Sequence, residues 1–151
     1  MTTTDSRFAR FHNDYSWQGV EREAYKQGAE EQEWQGIVRQ VLVGKMQEAT
    51  AFQVRYFEIA PGGYSSLEKH EHTHVVIAVR GKGKAILGKT VHMMAPLDAV
   101  YVAPWTPHQF LATAEESFGF LCIVEAERDS SQPLTPQEQQ IAITVGAMPH
   151  S

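Results

Sequence analysis

Residues 52–88 read FQVRYFEIAPGGYSSLEKHEHTHVVIAVRGKGKAILG, and this stretch decides the fold. Three runs rich in Val, Ile, Phe and Tyr lie in it: FQVRYFEIA (52–60), HVVIAVRG (74–81) and GKAILG (83–88). Pro61-Gly62-Gly63 and Gly81-Lys82-Gly83 punctuate them. Branched and aromatic side chains suit a pleated, half-buried surface, while Gly and Pro supply turn backbone. The same texture continues outward in both directions. IVRQVLVG (37–44) precedes it, and VHMMA (91–95), AVYVAP (99–104), HQFLATA (108–114) and FGFLCIVEA (118–126) follow. Gly44, Gly88-Lys89, Pro96-Leu97-Asp98 and Pro104 mark further turns. Short strands at near-regular spacing predict an all-β sandwich or barrel. No helical period runs through residues 37–126, which disfavours a parallel βαβ plan.

The flanks differ from this body. Residues 1–36 are polar and irregular, and they read as an arm or a short helical segment, with GAEEQEW (28–34) its most acidic part. The arm carries Phe8, Phe11, Tyr15 and Trp17, so it is expected to pack on the barrel or on a second subunit. The barrel is assigned to residues 37–128 and a tail to 129–151. In the tail, Thr135-Pro136-Gln137-Glu138 predicts a helix start: Thr135 caps, Pro136 suits the first turn, and Glu138 closes a capping box. Gly146 and Pro149 would end that helix.

The chain of 151 residues is 42% hydrophobic, with 7 Phe, 5 Tyr and 3 Trp, enough for one domain with its own core. A net charge of −5 and the lack of a basic block argue against nucleic acid as partner. No apolar run approaches the ~20 residues that span a bilayer, and the first residues hold no apolar signal core. The single cysteine, Cys122, excludes an intrachain disulfide. Together these predict a cytoplasmic, reducing location and no membrane partner.

The chemistry concentrates in Glu68-Lys69-His70-Glu71-His72-Thr73-His74. Were this segment an extended strand, residues 68, 70, 72 and 74 would share one side. Unpaired imidazoles inside a barrel are costly, and a metal satisfies them. Imidazole nitrogen and carboxylate oxygen suit manganese, iron, nickel, copper or zinc. The competing reading is an exposed charged edge strand, which the following VVIAV, a buried-strand run, argues against. A fourth candidate ligand is His108, in Ala103-Pro104-Trp105-Thr106-Pro107-His108, where two prolines stiffen the loop and preset the ring.

These residues carry a family resemblance. Counting back from Gly81, Glu68, His70 and His74 fall on the ligand positions of the first cupin motif, and His108 falls on the histidine of the second. The chain therefore resembles a small single-domain cupin over roughly residues 50–126. The ligand order is Glu-His-His-His rather than His-His-Glu-His. Ala103 and Trp105 stand where the second motif has Pro and Gly, Leu97 where it has Gly, and Ala112 where it has Asn. The resemblance implies a single jelly-roll-like β-barrel, a divalent transition metal held by Glu68, His70, His74 and His108, a small-molecule substrate and a homodimer. His72 shares the parity of the ligands and is left as an orienting donor, a substrate contact or a replacement ligand.

Beyond the metal set, Arg55 and Glu58 lie in an otherwise apolar strand. They read either as a mouth-lining pair, Arg55 then holding an anion, or as an ion pair on an edge. Cys122 is a small buried hydrophobe or a thiol facing the cavity. Tyr101, Trp105 and Phe110 flank the second loop as pocket walls, with Tyr101 a candidate donor to an oxyanion. His12, His92 and His150 read as ordinary surface or turn residues. The wording of residues 55–88, 100–112 and 119–129 is similar to a bacterial group of cupins. That group includes the enzyme that removes the methylthio group from 1-methylthio-xylulose 5-phosphate, with a thiol as acceptor and manganese as metal. Methylthio transfer is one expectation. The alternatives are a metal-dependent dioxygenase or other oxidoreductase, and a non-enzymatic metal or small-molecule binding module.

Overall fold

The computed structural model describes residues 5–26 and 34–149. Its elements follow as β1 (Phe11–His12), β2 (Ser16–Trp17), β3 (Glu23–Ala24), β4 (Gln35–Val43), β5 (Phe52–Tyr64), β6 (His74–Arg80), β7 (Gly83–Leu87), β8 (Thr90–Met94), β9 (Ala99–Val102), β10 (His108–Ala112), β11 (Phe118–Glu125) and α1 (Pro136–Thr144). Gly44, Gly81-Lys82, Gly88-Lys89, Pro96-Leu97-Asp98 and Pro104 fall between strands, whereas Pro61-Gly62-Gly63, read as a turn, continues β5 and Gly83 opens β7; no helix lies within 37–126.

One sheet of nine strands runs β8-β7-β10-β5-β11-β6-β9, with β4 also on β5 and β3 on β4, and every pairing is antiparallel. It curls into a nearly closed, all-β barrel of the jelly-roll-like kind. Directly opposed residues share a face, so the register sorts side chains. Ile37, Arg39 and Val41 oppose Ile59, Phe57 and Arg55, which in turn oppose Phe118, Phe120 and Cys122. Cys122 and Val124 oppose Val76 and His74. The core follows this face: Phe57, Ile59, Val76, Ala78, Phe110, Phe118, Phe120 and Val124 are all buried together. Phe120 sits at 5.1–5.6 Å, ring to ring, from Phe57, Phe110 and Phe118. Cys122 therefore belongs to the inward face.

The other face of β5 is covered by the arm. Tyr56 is fully buried beneath Tyr15 and Trp17, and its hydroxyl donates to Glu58 Oε1 at 2.9 Å. Glu58 also accepts from Arg80 Nη1 at 2.6 Å. Glu58 and Arg55 thus lie on opposite faces and do not pair with each other. A side chain at Gly119 would put its Cβ 2.0 Å from Tyr56 Oη, so glycine is required there. The described part of the arm forms β1–β3 rather than a helix, and β3 joins the barrel sheet through β4. The acidic stretch read as a helical alternative lies, for residues 28–33, outside the described residues.

At the other end, Thr135 Oγ1 accepts from Glu138 N at 3.1 Å, and Glu138 Oε1 accepts from Thr135 N at 2.9 Å. This is the capping box read from sequence, with Pro136 at the first position of α1. Ala142 and Ala147 pack against Leu67, Ile86 and Leu111 in a second cluster. Ile86 and Leu111 alternate with inward Ala85 and Phe110, so this cluster lies on the outer face of β7 and β10. None of the helices among the described residues is long and apolar enough to cross a membrane.

Candidate metal centre

Three histidines meet inside the barrel. His74 opens β6, His108 opens β10, and His70 lies in the connection before β6. All three are buried, at 3%, 9% and 4% exposure for His70, His74 and His108. One ring nitrogen from each lies within 4.8 Å of the others. His74 Nε2 is 3.3 Å from His108 Nε2.

The connection from β5 to β6 is not the extended strand that parity assumed. Glu68 forms an isolated bridge with His108, the chain bends at Glu71-His72, and β6 begins only at His74. Convergence comes from that bend and from the second loop. Trp105 N donates to His70 O at 2.7 Å, which ties loop 103–107 to the first motif. Trp105 takes φ 62° and Leu97 φ 77°. These are left-handed conformations that favour glycine, and both fall where the family motif carries it. The backbone path is kept while the residue that eases it is not.

Each ring's other nitrogen has its own partner. His70 Nδ1 lies 2.7 Å from His72 O, and His108 Nδ1 lies 2.9 Å from Thr106 O. A carbonyl only accepts, so both Nδ1 atoms carry the proton and both Nε2 atoms are left with a lone pair. His74 Nδ1 lies 3.5 Å from Cys122 Sγ, which leaves its Nε2 facing His108. Partners of this kind fix ligand tautomer and direction in metal sites. Burial pushes His70 down to about 4 and His74 down to about 2, with the neighbouring imidazoles adding to it, and burial lowers His108 as well. At neutral pH all three are neutral bases with converging lone pairs. This donor set fits a divalent metal ion.

The remaining candidates are placed as follows. The Glu68 carboxylate makes an ion pair with Lys26, beside rather than within the histidine cluster. His72 stacks flat on His70, with ring centres 3.7 Å apart and planes 6° apart. Its Nδ1 and its backbone N–H both meet Asp129 Oδ1 at 2.8 Å, and Glu71 N donates to Asp129 Oδ2 at 2.7 Å. Cys122 is buried, and Arg55 Nη2 donates to its sulfur at 3.4 Å. Burial raises the thiol, and the Arg55 charge opposes that rise. Tyr101 is 62% exposed between buried Val100 and Val102, so it faces away from the cavity. Trp105 is likewise exposed, and Phe110 alone of the three aromatics is buried with the core. His12 and His92 are exposed, and His150 lies outside the described residues.

Sequence reading missed Tyr25, Lys26 and Asp129. Tyr25 packs edge-on to Trp34 and Phe57, and its hydroxyl is raised by burial and then by the Glu68 charge. All three reach the site through long-range packing of the arm or the tail, and no local pattern marks them.

Comparison with known proteins agrees with this geometry. Residues 55–124 match the model of the Cupin domain. The chain is 41% identical over 139 residues to 1-methylthio-D-xylulose 5-phosphate methylsulfurylase of Rhodospirillum rubrum, covering 92% of this chain and 86% of that protein. The crystal structure of a cupin-2 domain from Rhodospirillum rubrum aligns with a TM-score of 0.77 at 41% identity, over 89% of this chain and 88% of that one. A cupin 2 conserved barrel domain protein from Rhodopseudomonas palustris aligns with a TM-score of 0.80 at 38% identity, over 89% and 90%. Barrel, histidine cluster and kinship converge, and this chain belongs to the cupin family.

Proposed function

We propose that this cupin is a metal-dependent enzyme that moves the methylthio group of 1-methylthio-D-xylulose 5-phosphate, or a close analogue, to a thiol. The observation that carries the proposal is the place of Cys122. Its sulfur touches both a histidine of the cluster and an arginine on the same inward face. The name of the Rhodospirillum relative points to the same chemistry.

His70, His74 and His108 would hold the metal, and Glu68 would join them if it left Lys26. A divalent cation there supplies Lewis-acid character toward a substrate oxygen. Cys122 is the first acceptor. Its sulfur forms a bond to the methylthio sulfur as the C1–S bond breaks, and the bonding pair stays on C1. C1 takes up the proton that Cys122 gives up, giving a 1-deoxy sugar phosphate and a methyl disulfide on Cys122. A small-molecule thiol then attacks that disulfide, takes the methylthio group and returns Cys122 as a thiol. Arg55 Nη2 and His74 Nδ1 both point donors at the sulfur, which favours the thiolate against the burial that opposes it. His72, stacked on His70 and held by Asp129, is a positioning residue. Manganese as the metal and a homodimer as the assembly belong to the same proposal, and elemental analysis and light scattering read them.

The test uses protein purified without chelator. With the methylthio sugar phosphate and a small thiol, the expected products are the 1-deoxy sugar phosphate and a mixed methyl disulfide, with no oxygen uptake. Cys122→Ser should retain metal and lose transfer. Metal-dependent oxygen uptake without disulfide formation would overturn the proposal in favour of an oxygenase.

A further inference from the structure

The inward face carries more positive charge than the chain itself neutralises. Arg55 opposes Cys122 in β11 and Val41 in β4, and Arg39 lies two residues before Val41 on that same face. Arg128 Nη1 donates to Glu125 O at 2.8 Å and to the side-chain oxygen of Gln53, two residues before Arg55, at 3.2 Å, which holds its head beside the ends of β5 and β11. Of the three, Arg39 alone meets a carboxylate among the described residues: its Nε donates to Glu23 at 3.1 Å, and Glu23 is shared with Lys45. Arg55 Nε is buried without any hydrogen-bond partner. A buried N–H left without an acceptor is costly unless something else supplies one.

We propose that Arg39, Arg55 and Arg128 form a subsite for the phosphate monoester of a small phosphorylated substrate, facing the histidine cluster across Cys122. A guanidinium fork matches phosphate oxygens two at a time. Three arginines against one shared carboxylate leave a charge that a dianion balances better than a monoanion does. Arg39 and Arg128 are both lowered first by burial and next by the Arg55 charge, which agrees with the three heads lying in one field. Cys122 Sγ, 3.4 Å from Arg55 Nη2 and 3.5 Å from His74 Nδ1, stands between the arginines and the histidines. The substrate thus gains a direction: phosphate toward β4, β5 and the Arg128 loop, reactive end toward the histidines. This deepens the transfer proposal and rests on it for the identity of the sugar.

The experiment is calorimetric binding of inorganic phosphate, D-xylulose 5-phosphate, D-xylulose and D-xylonate to the metal-containing protein. Arg128→Gln leaves the sheet untouched, and Arg39→Gln is measured beside it, with metal content determined for each. We expect D-xylulose 5-phosphate to bind well above D-xylulose, and Arg128→Gln to weaken it about tenfold or more without loss of metal. Equal affinity of wild type and Arg128→Gln for the phosphorylated sugar would overturn the subsite. So would D-xylonate binding as tightly as the phosphate ester, since that marks a carboxylate site. If phosphate-dependent binding holds but no methylthio transfer occurs, the subsite stands and the substrate reading fails. If transfer proceeds with an unchanged KM in both arginine variants, the subsite fails and the transfer reading stands.

Discussion

Replacing His108 by Ala tests the metal centre most directly. His108 Nε2 faces His74 Nε2 at 3.3 Å, and its Nδ1 proton is held by Thr106 O. Removing the ring takes away one of three converging lone pairs while β10 keeps its backbone pairing with β7. Loss of a group that merely orients a ligand weakens metal binding by about 10–100-fold, so loss of the ligand itself should weaken it by at least about 100-fold. At a free metal concentration near 100 times the wild-type Kd, binding stabilises the folded wild type by about 2.7 kcal/mol. For a domain of this size that is a rise in Tm of roughly 5–10 °C. With Kd raised 100-fold, the same metal stabilises the variant by only about 0.4 kcal/mol, a rise of about 1–2 °C. Thermal melts with and without added metal, paired with elemental analysis, measure both quantities. A His108→Ala protein that keeps full metal content and the wild-type shift in Tm would refute the ligand assignment.

Three further outcomes follow from the packing and the charges. Gly119→Ala should lower stability by about 3 kcal/mol in urea unfolding, because the new Cβ strikes the buried Tyr56 hydroxyl and the arm above Tyr56 pins that ring. A loss below 0.5 kcal/mol would mean that Tyr56 yields freely. Leu97→Gly should raise stability by up to about 1 kcal/mol, since Leu97 is 80% exposed and held at φ 77°; Leu97→Ala, which keeps the strain, should give no gain in the same unfolding assay. The metal-free protein should lose stability as pH falls from about 6.5 to about 4. There the unfolded histidines take up protons that buried His70 and His74 still refuse, so the unfolded state binds more protons and stability rises with pH. Unfolding midpoints that stay flat across that window would contradict the burial of the cluster.

The strands were legible because alternation and turn chemistry act locally: FQVRYFEIA, HVVIAVRG and FGFLCIVEA each became β5, β6 and β11 within a few residues. The helix start was legible because a capping box is a four-residue event. His70, His74 and His108 could be picked out from the histidine density before a buried run and from the proline-stiffened second loop. The route by which they meet was misread, since parity along 68–74 presumed a strand where the chain bends at Glu71-His72. Tyr101 was read as a pocket residue from its nearness in sequence to the loop, but the alternation of β9 sends it outward. Arg39, Arg128, Lys26 and Asp129 left no trace in the sequence. Their place depends on which strand β4 pairs with and where the arm and the segment after β11 settle, and such pairings are decided by the whole barrel.

The means by which the three rings are aimed has an evolutionary corollary. His70 and His108 are steered by main-chain oxygens, those of residues 72 and 106, which every amino acid possesses. Position 106 can therefore drift in identity without disturbing the aim of His108, provided the loop keeps its course, whereas a change at 72 keeps the carbonyl but removes the ring stacked on His70. His74 is different, because what backs it is a thiol, which only cysteine provides. His74 would register a change of the side chain behind it, and lineages that abandon the thiol should show that change at His74 first.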